Sequence, residues 1–218
     1  MSVLALYRGN TAPGQLIDSS PAGNNLTLFG TVPNSLSPTP PEGDGWLAYK
    51  PLGIGSNFLK APSSVYNNAQ GMVGLFLTKE IDTVINTMIV DIRNTSTNNG
   101  IGIFVGFPGQ MLTVVGFTGG FGDYALFAPI VNSMTPLKVR LEWRPAGVKL
   151  FLNDIMFGSS AIAPSAVGAD VHIAGDPITT SSSYEIGGID FVQFSNDPDE
   201  EFPAVPPGSI TAGGFYLI

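Results

Sequence analysis

The sequence predicts an all-β domain in which two antiparallel sheets pack face to face. Three observations carry this. First, 27 Gly and 18 Pro are spread along nearly the whole chain and cut it into short segments, leaving little room for long helices. Second, the segments between those breaks are β-branched or aromatic, and several alternate apolar with polar residues. Third, no amphipathic helix is evident, and many short strands joined by turns make a sandwich or barrel.

The elements follow in chain order. Val3–Tyr7 opens the chain as a short apolar strand, and Pro33 to Gly45 reads as a long Pro- and Ser-rich surface loop. Trp46–Tyr49 and Phe58–Ala61 are short aromatic or apolar runs, and Val73–Leu77 and Val84–Arg93 are longer β-branched ones. Asn94 to Gly100 is a polar hairpin tip leading into Ile101–Phe107, with Met111–Phe117 and Tyr124–Phe127 beyond it. Glycines 100, 102, 116, 119, 120 and 122 have no helix start after them to receive a phosphate, so they read as bulges, tight turns or close-packed strand positions. The clearest element is Leu137–Trp143, where apolar residues at odd positions alternate with Lys138, Arg140 and Glu142. Arg144-Pro145-Ala146-Gly147 then turns the chain and Val148–Asn153 returns, which predicts a hairpin with Val139, Leu141, Val148, Leu150 and Leu152 facing inward. Ile189–Phe194 is the last strand. Residues 1–202 are expected to form the sandwich, and 203–218 an extended arm, because Pro203, Pro206 and Pro207 forbid helix there.

Composition narrows the function. Lys and Arg total 9 against 17 Asp and Glu, a formal charge of −8, and no basic run exists; such a surface repels phosphate, so nucleic acid is an unfavourable partner. The absence of Cys excludes disulfides, zinc–thiolate sites and cysteine nucleophiles. Charged residues are only 12% of the chain, about half the usual share. With a positive mean hydropathy of +0.25, part of the exterior is expected to be buried against partners. Met1 to Arg8 lacks a basic n-region, and no apolar run is long enough to cross a bilayer, so neither export nor membrane insertion is expected.

Several local patterns together resemble the laminin G-like, concanavalin A-like jelly rolls. Leu4-Ala5-Leu6-Tyr7-Arg8-Gly9-Asn10 is similar to that family's opening strand and Gly-Asn turn, and Asp18-Ser19-Ser20 to Leu28 to its following loop and short strand. Phe58-Leu59-Lys60-Ala61-Pro62, Val148 to Asp154 and Ile189-Asp190-Phe191-Val192-Gln193-Phe194 resemble the segments that come next, late and last. The resemblance runs from residue 3 to about 195. It implies a two-sheet antiparallel jelly-roll sandwich, a fold that hosts lectins, adhesion modules, glycan hydrolases and virion proteins. Relatives that hold calcium often carry an acidic residue just before the first Gly-Asn turn. Arg8 stands there, so no calcium site is carried over.

Candidate chemistry is sparse. A retaining glycosidase needs two carboxylates about 5–5.5 Å apart, but Glu142 is alone in its strand, and Asp197, Asp199, Glu200 and Glu201 lie among prolines as a solvated turn. His172, the one histidine, has no Ser in a nucleophile-elbow context and cannot build a His-based metal site alone. Asp18 with Asn24 and Asn25, and Asp190, offer oxygens for a hard cation, yet Asx-rich loops serve equally as turns, the reading preferred here. No catalytic residue, cofactor or metal is therefore assigned. Trp46, Tyr66 and Tyr124 are the candidate glycan contacts, with Tyr49 beside them, and the competing role for such aromatics is core packing.

Two non-enzymatic functions remain. One is a structural protein of a tailed-bacteriophage virion, in capsid decoration, a head fibre or a tail. It would be made in the host cytoplasm, and it would contact other virion proteins, further copies of itself and possible host-surface glycans. The alternative is a lectin-like carbohydrate-binding module. On the first reading, Phe215, Tyr216, Leu217 and Ile218 anchor an assembly arm on a neighbouring subunit or the particle; the arm's other destination is the open edge of its own sheet.

Overall fold

The computed structural model describes residues 2–7, 18, 20–29, 58–78, 87–106, 111–129, 137–164, 167–173 and 188–202. The strands among them are β1 (Val3–Tyr7), β2 (Thr27–Phe29), β3 (Phe58–Ala61), β4 (Gly71–Thr78), β5 (Thr87–Arg93), β6 (Gly100–Gly106) and β7 (Met111–Thr118). They continue as β8 (Phe121–Pro129), β9 (Leu137–Arg144), β10 (Gly147–Leu152), β11 (Ile155–Ser160), β12 (Asp170–Ile173) and β13 (Gly188–Ser195). One 3-10 turn, Ser63–Val65, interrupts them, and no α-helix occurs among the described residues.

The strands form a six-stranded sheet in the order β1-β13-β4-β9-β10-β11 and a seven-stranded sheet in the order β2-β3-β12-β5-β6-β7-β8. Pairing is antiparallel throughout, so the molecule is the expected jelly-roll sandwich. Alternation decides which side chains meet between the sheets. On β9, Val139, Leu141 and Trp143 are buried in the core, and on β10 so are Val148, Leu150 and Leu152. The other sheet answers with Ile92, Ile101, Ile103, Leu112, Val114 and Val171, a largely aliphatic layer that suits a close-packed interface.

A second, smaller apolar cluster lies on the outer face of the six-stranded sheet. The chain leaves β13 and folds back, so that Phe202 packs on Phe76 with ring centroids 5.2 Å apart, beside Met72 and Leu6. Gly74 makes room for it, since a Cβ there would come within 2.4 Å of the Phe202 ring. Gln193 Nε2 donates to the Glu201 carbonyl and Lys138 Nζ to the Phe202 carbonyl, which fixes this return segment to β13 and β9.

Where expectation and structure differ, the strands are short or lie at an edge. β11 and β12 are not anticipated as elements, and β2 only through the family resemblance, as the short strand ending near Leu28. β11 is an edge strand whose Ile155, Met156 and Phe157 are all exposed, so it carries no alternation. It is set up by Asn153 and Asp154, both at positive φ (48° and 64°), the two-residue turn that matches the twist of a hairpin. β8 extends past Tyr124–Phe127 at both ends, because Gly119 and Gly120 supply the equivalent turn from β7 (φ 58° and 84°). The expected strand Trp46–Tyr49, the Pro33–Gly45 loop and the 203–218 arm lie outside the described residues.

Candidate functional site

One end of the sandwich, here called the rim, gathers the 3-10 turn, the 94–99 loop, the β7–β8 turn, the β9–β10 turn and residues 161–164 and 167–168. Strand register brings them together: Arg93 pairs with Gly100, Gly100 with Phe117, and Asp170 with Arg93. Asparagines then lock the loops to one another. Asn94 Nδ2 donates to the Val167 and Gly168 carbonyls, while Asn94 Oδ1 accepts from the Ser96 and Thr97 amides. Asn99 Oδ1 accepts from the Gly119 amide at 2.6 Å. The polar tip predicted from Asn94 to Gly100 is thus a hydrogen-bonded platform.

Two of the three candidate glycan contacts lie at this rim. Tyr66 follows the 3-10 turn and packs 5.3 Å from the ring of Trp143, whose Nε1 donates to the Asn67 carbonyl at 2.7 Å. Tyr124 rests its ring on Gly116 of the neighbouring strand, where a Cβ would come within 2.1 Å. Both are partly buried against the core. Burial pushes both phenols well above the usual tyrosine range, with Tyr124 adding to the effect on Tyr66 and Asp123 to that on Tyr124. Both therefore stay neutral at physiological pH, and each hydroxyl can donate as well as accept, but only that of Tyr66 is exposed. The Tyr66 hydroxyl makes only a long, 3.4 Å bond to Asn68 Oδ1, and the Tyr124 hydroxyl has no partner among the described residues. Trp46, the third candidate, and the Phe215–Ile218 anchor lie outside the described residues.

Beside the rim, on the outer face of the six-stranded sheet, is a cleft of about 290 Å³. This is at the small end of ligand-pocket sizes, roughly 300–1,000 Å³. Glu142 is its buried charged member, with Arg144, Lys149, Ser159 and Ser160 around it and Ala146, Gly147, Val148 and Ala161 completing the lining. The β9–β10 register sets Lys149 directly opposite Glu142, and the β10–β11 register brings Ser159 next to Lys149. Glu142 Oε1 lies 3.0 Å from Arg140 Nη1, and Arg144 is paired with Asp199. Burial pushes the Glu142 carboxyl up, against the opposing pull of Arg140, Arg144 and Lys149. The cleft thus offers one acidic acceptor, cationic donors and two hydroxyls within one small volume, a set suited to hydrogen-bonding a polyol.

The remaining candidates are placed as follows. The Asp18 carboxylate accepts four hydrogen bonds: Oδ1 from the Leu6 and Ser20 amides, Oδ2 from the Ser20 hydroxyl and the Asn24 amide, all at 2.7–2.8 Å. Asn25 Oδ1 accepts from the Asp18 amide, and Asn24 Nδ2 donates to the Leu4 carbonyl. These oxygens organise a turn against β1, so the loop is built around Asp18 as its acceptor. The Asp190 side chain lies outside the described set. His172 is buried on the outer face of the seven-stranded sheet, its ring meeting Phe58 edge-on at 4.9 Å, and its Nδ1 lies 3.6 Å from Asp91 Oδ2. Asp91 in turn holds Arg93, which stacks over Phe117. Among the described residues no three His, Asp or Glu side chains converge on a common metal position.

Sequence reasoning passed over Lys149, Ser159 and Ser160. The Glu142–Lys149 pairing was available by counting outward from the Arg144-Pro145-Ala146-Gly147 turn. The serines were not, because they sit on the unanticipated β11. Asp91 and Arg93 alternate with Val90 and Ile92 in the same way and mark an outward polar face.

No protein-family model matches the chain, and no curated protein is significantly similar to it in sequence. Solved structures do resemble it. Domain 4 of AbnA, an extracellular arabinanase from Geobacillus stearothermophilus solved with arabinotriose, superposes with a TM-score of 0.61 at 17% identity, covering 95% of each chain. A botulinum neurotoxin type C structure, reported for the dependence of cell entry on two ganglioside molecules, gives 0.60 at 11% identity over 91% of this chain. The binding domain of botulinum neurotoxin DC, in complex with rat synaptotagmin II, gives 0.61 at 11% identity, again over 91%. This chain spans about half the length of each of those two toxin chains (49%). At such identities the likeness establishes the fold.

Proposed function

We propose that the chain is a non-catalytic recognition module that binds a glycan at the rim, with the Glu142 cleft as its polar subsite. The observation that carries this is the composition of the cleft: one carboxylate, Arg144, Lys149 and two serine hydroxyls around a volume of sugar-binding scale. A sugar ring presents alternating donors and acceptors, and charge-assisted hydrogen bonds to it are individually strong. The same composition argues against hydrolysis, because Glu142 is the only carboxylate lining the cleft among the described residues, and Asp199 is engaged by Arg144. The neutral hydroxyl of Tyr66 extends the polar surface along the rim, whereas that of Tyr124 is buried. The fold's neighbours support the reading, in that one was solved with the sugar arabinotriose and another is reported for interaction with gangliosides, which are sugar-bearing lipids.

The test is calorimetric titration with a panel that includes arabino-oligosaccharides and ganglioside headgroup oligosaccharides, with reducing-sugar release measured in parallel. Binding without turnover is expected, with Lys149→Ala and Glu142→Gln each weakening it about tenfold, the loss of one charge-assisted hydrogen bond. Release of sugar abolished by Glu142→Gln, or binding untouched by both substitutions, would refute it.

A second reading, assembly into a tailed-phage virion, rests on the large apolar side chains left exposed at the same rim. Phe121 is 80% exposed and Val167 70%, and Ile162, five residues before Val167, is exposed as well. Such groups suit a protein partner, whether a further copy of the chain or another virion protein. None of the similar structures reported above is a virion protein. Sedimentation of the purified chain distinguishes the readings: concentration-dependent oligomers lost on Phe121→Ser favour assembly, and a persistent monomer favours the glycan module.

A further inference from the structure

The open side of the sandwich, away from the rim, carries an apolar strip that the fold itself does not explain. β11 is the last strand of the six-stranded sheet and β8 the last of the seven-stranded one. The two edges meet where Gly158 lies against Leu126, a Cβ there standing 3.3 Å from the Leu126 Cβ. Flanking that contact, Ile155 is 62% exposed, Met156 55%, Phe157 42% and Phe127 53%. No residue of Ile155–Ser160 is charged, and none is proline. An uncharged apolar strand that ends its sheet among the described strands invites pairing with another segment.

The geometry points to the chain's own C-terminal segment, 203–218, as the occupant of this edge, laid in cis along β11 as an added strand. The end of the described chain is anchored beside the start of β11. Lys138 Nζ donates at 2.9 Å both to the Phe202 carbonyl and to the carboxylate of Asp154, the residue before Ile155. From that point 203–214 is a link of twelve residues, followed by Phe215-Tyr216-Leu217-Ile218, an apolar β-prone tetrapeptide without charge. Twelve extended residues reach roughly 40 Å, and a six-residue strand is only about 20 Å long, so the tetrapeptide can lie anywhere along β11. Pro203, Pro206 and Pro207 stiffen the link and reduce the entropy lost on docking. The tetrapeptide's side chains would cover Ile155, Met156 and Phe157 while its backbone pairs with the β11 edge, the mode of strand addition. Of the two destinations that the sequence leaves open for this arm, proximity selects its own sheet edge.

The chain has no cysteine, so an introduced pair is unambiguous. In the full-length protein, Met156→Cys with Leu217→Cys is oxidised at low micromolar concentration and followed by intact mass and non-reducing gel, beside a control pair of Ser96→Cys with Leu217→Cys. The expected product is a monomer lighter by two hydrogens, formed with position 156 at least about tenfold faster than with position 96. A free dithiol, equal rates for both pairs, or a covalent dimer in place of the monomer would overturn the proposal, the last assigning the strip to the arm of a second copy. Independently, Leu217→Asp with Ile218→Asp in the otherwise native chain should raise amide hydrogen exchange across residues 155–160 by about tenfold or more and leave β9 unchanged. Unchanged exchange in 155–160 would also overturn it.

Discussion

Replacing Asp18 with Ala removes one carboxylate and strands four donors at once. Leu6 and Ser20 amides lose Oδ1, and the Ser20 hydroxyl and Asn24 amide lose Oδ2, at positions where Asp18 is only 7% exposed. A hydrogen bond to a charged group contributes roughly 1.5–3 kcal/mol net. The Ser20 donors are close to solvent and can turn to water, so the full cost falls on the Leu6 and Asn24 amides. The expected loss is about 3 kcal/mol, large for a single substitution. In a domain of this size that lowers Tm by roughly 6–12 °C. Asp18→Asn keeps one acceptor oxygen and should lose about half as much. Urea unfolding with an unchanged m-value gives the free energy, and scanning fluorimetry with and without millimolar calcium gives Tm. A loss under about 0.5 kcal/mol for Asp18→Ala would refute the turn-organiser role. So would a calcium-dependent rise in Tm that Asp18→Ala abolishes, since it would make the loop a cation site.

Other consequences follow from the packing and the charges. Gly74→Val should drive Phe202 off the outer face, costing about 1–3 kcal/mol and speeding proteolysis after residue 196, whereas Gly74→Val with Phe202→Ala should recover part of the loss. Asp170, whose carboxyl is held below its usual range first by its hydrogen bond to Lys60, stabilises the fold above its unfolded pKa and loses that contribution as pH falls through the lower folded value. Asp170→Asn should therefore cost under about 1 kcal/mol at neutral pH, as both partners are partly exposed, and the difference should begin to shrink in acid below about pH 4 and vanish only below the folded value. Glu142 runs the other way: its raised carboxyl binds more protons folded than unfolded, so its contribution declines as pH rises through the folded value. Wild type minus Glu142→Gln stability should fall as pH rises above about 4, read from urea midpoints.

How much of this was legible depended on how far each segment's burial follows from its own periodicity. Leu137–Trp143 and Val148–Asn153 announce their strands, their turn and their inward residues, because one face is buried and the other charged. Asp18-Ser19-Ser20 signals its turn through the Asx chemistry that the structure then uses. β11 was illegible, since an edge strand with both faces exposed obeys no alternation. β12 was too short, and its Asp170 and His172 face outward among other polar groups rather than into the core. The cleft was half legible: Glu142 was singled out, and Lys149 lies opposite it by hairpin arithmetic, but Ser159 and Ser160 arrive only through the β10–β11 register. Tyr66 and Tyr124 were named as aromatics; that tertiary packing brings both to one rim, 58 residues apart in sequence, no local pattern could disclose.

The account's central claim is that a glycan binds at the rim and is not cleaved. Amide chemical-shift mapping with the tightest-binding oligosaccharide of the panel tests it directly. The predicted result is a contiguous set of shifts over Glu142–Lys149 and Ser159–Ala161, extending to Tyr66 and Tyr124, with the sugar's own resonances unchanged after days. Shifts confined to the outer face of the seven-stranded sheet around His172 and Phe58, no saturable shift with any sugar, or the appearance of cleaved product would contradict it.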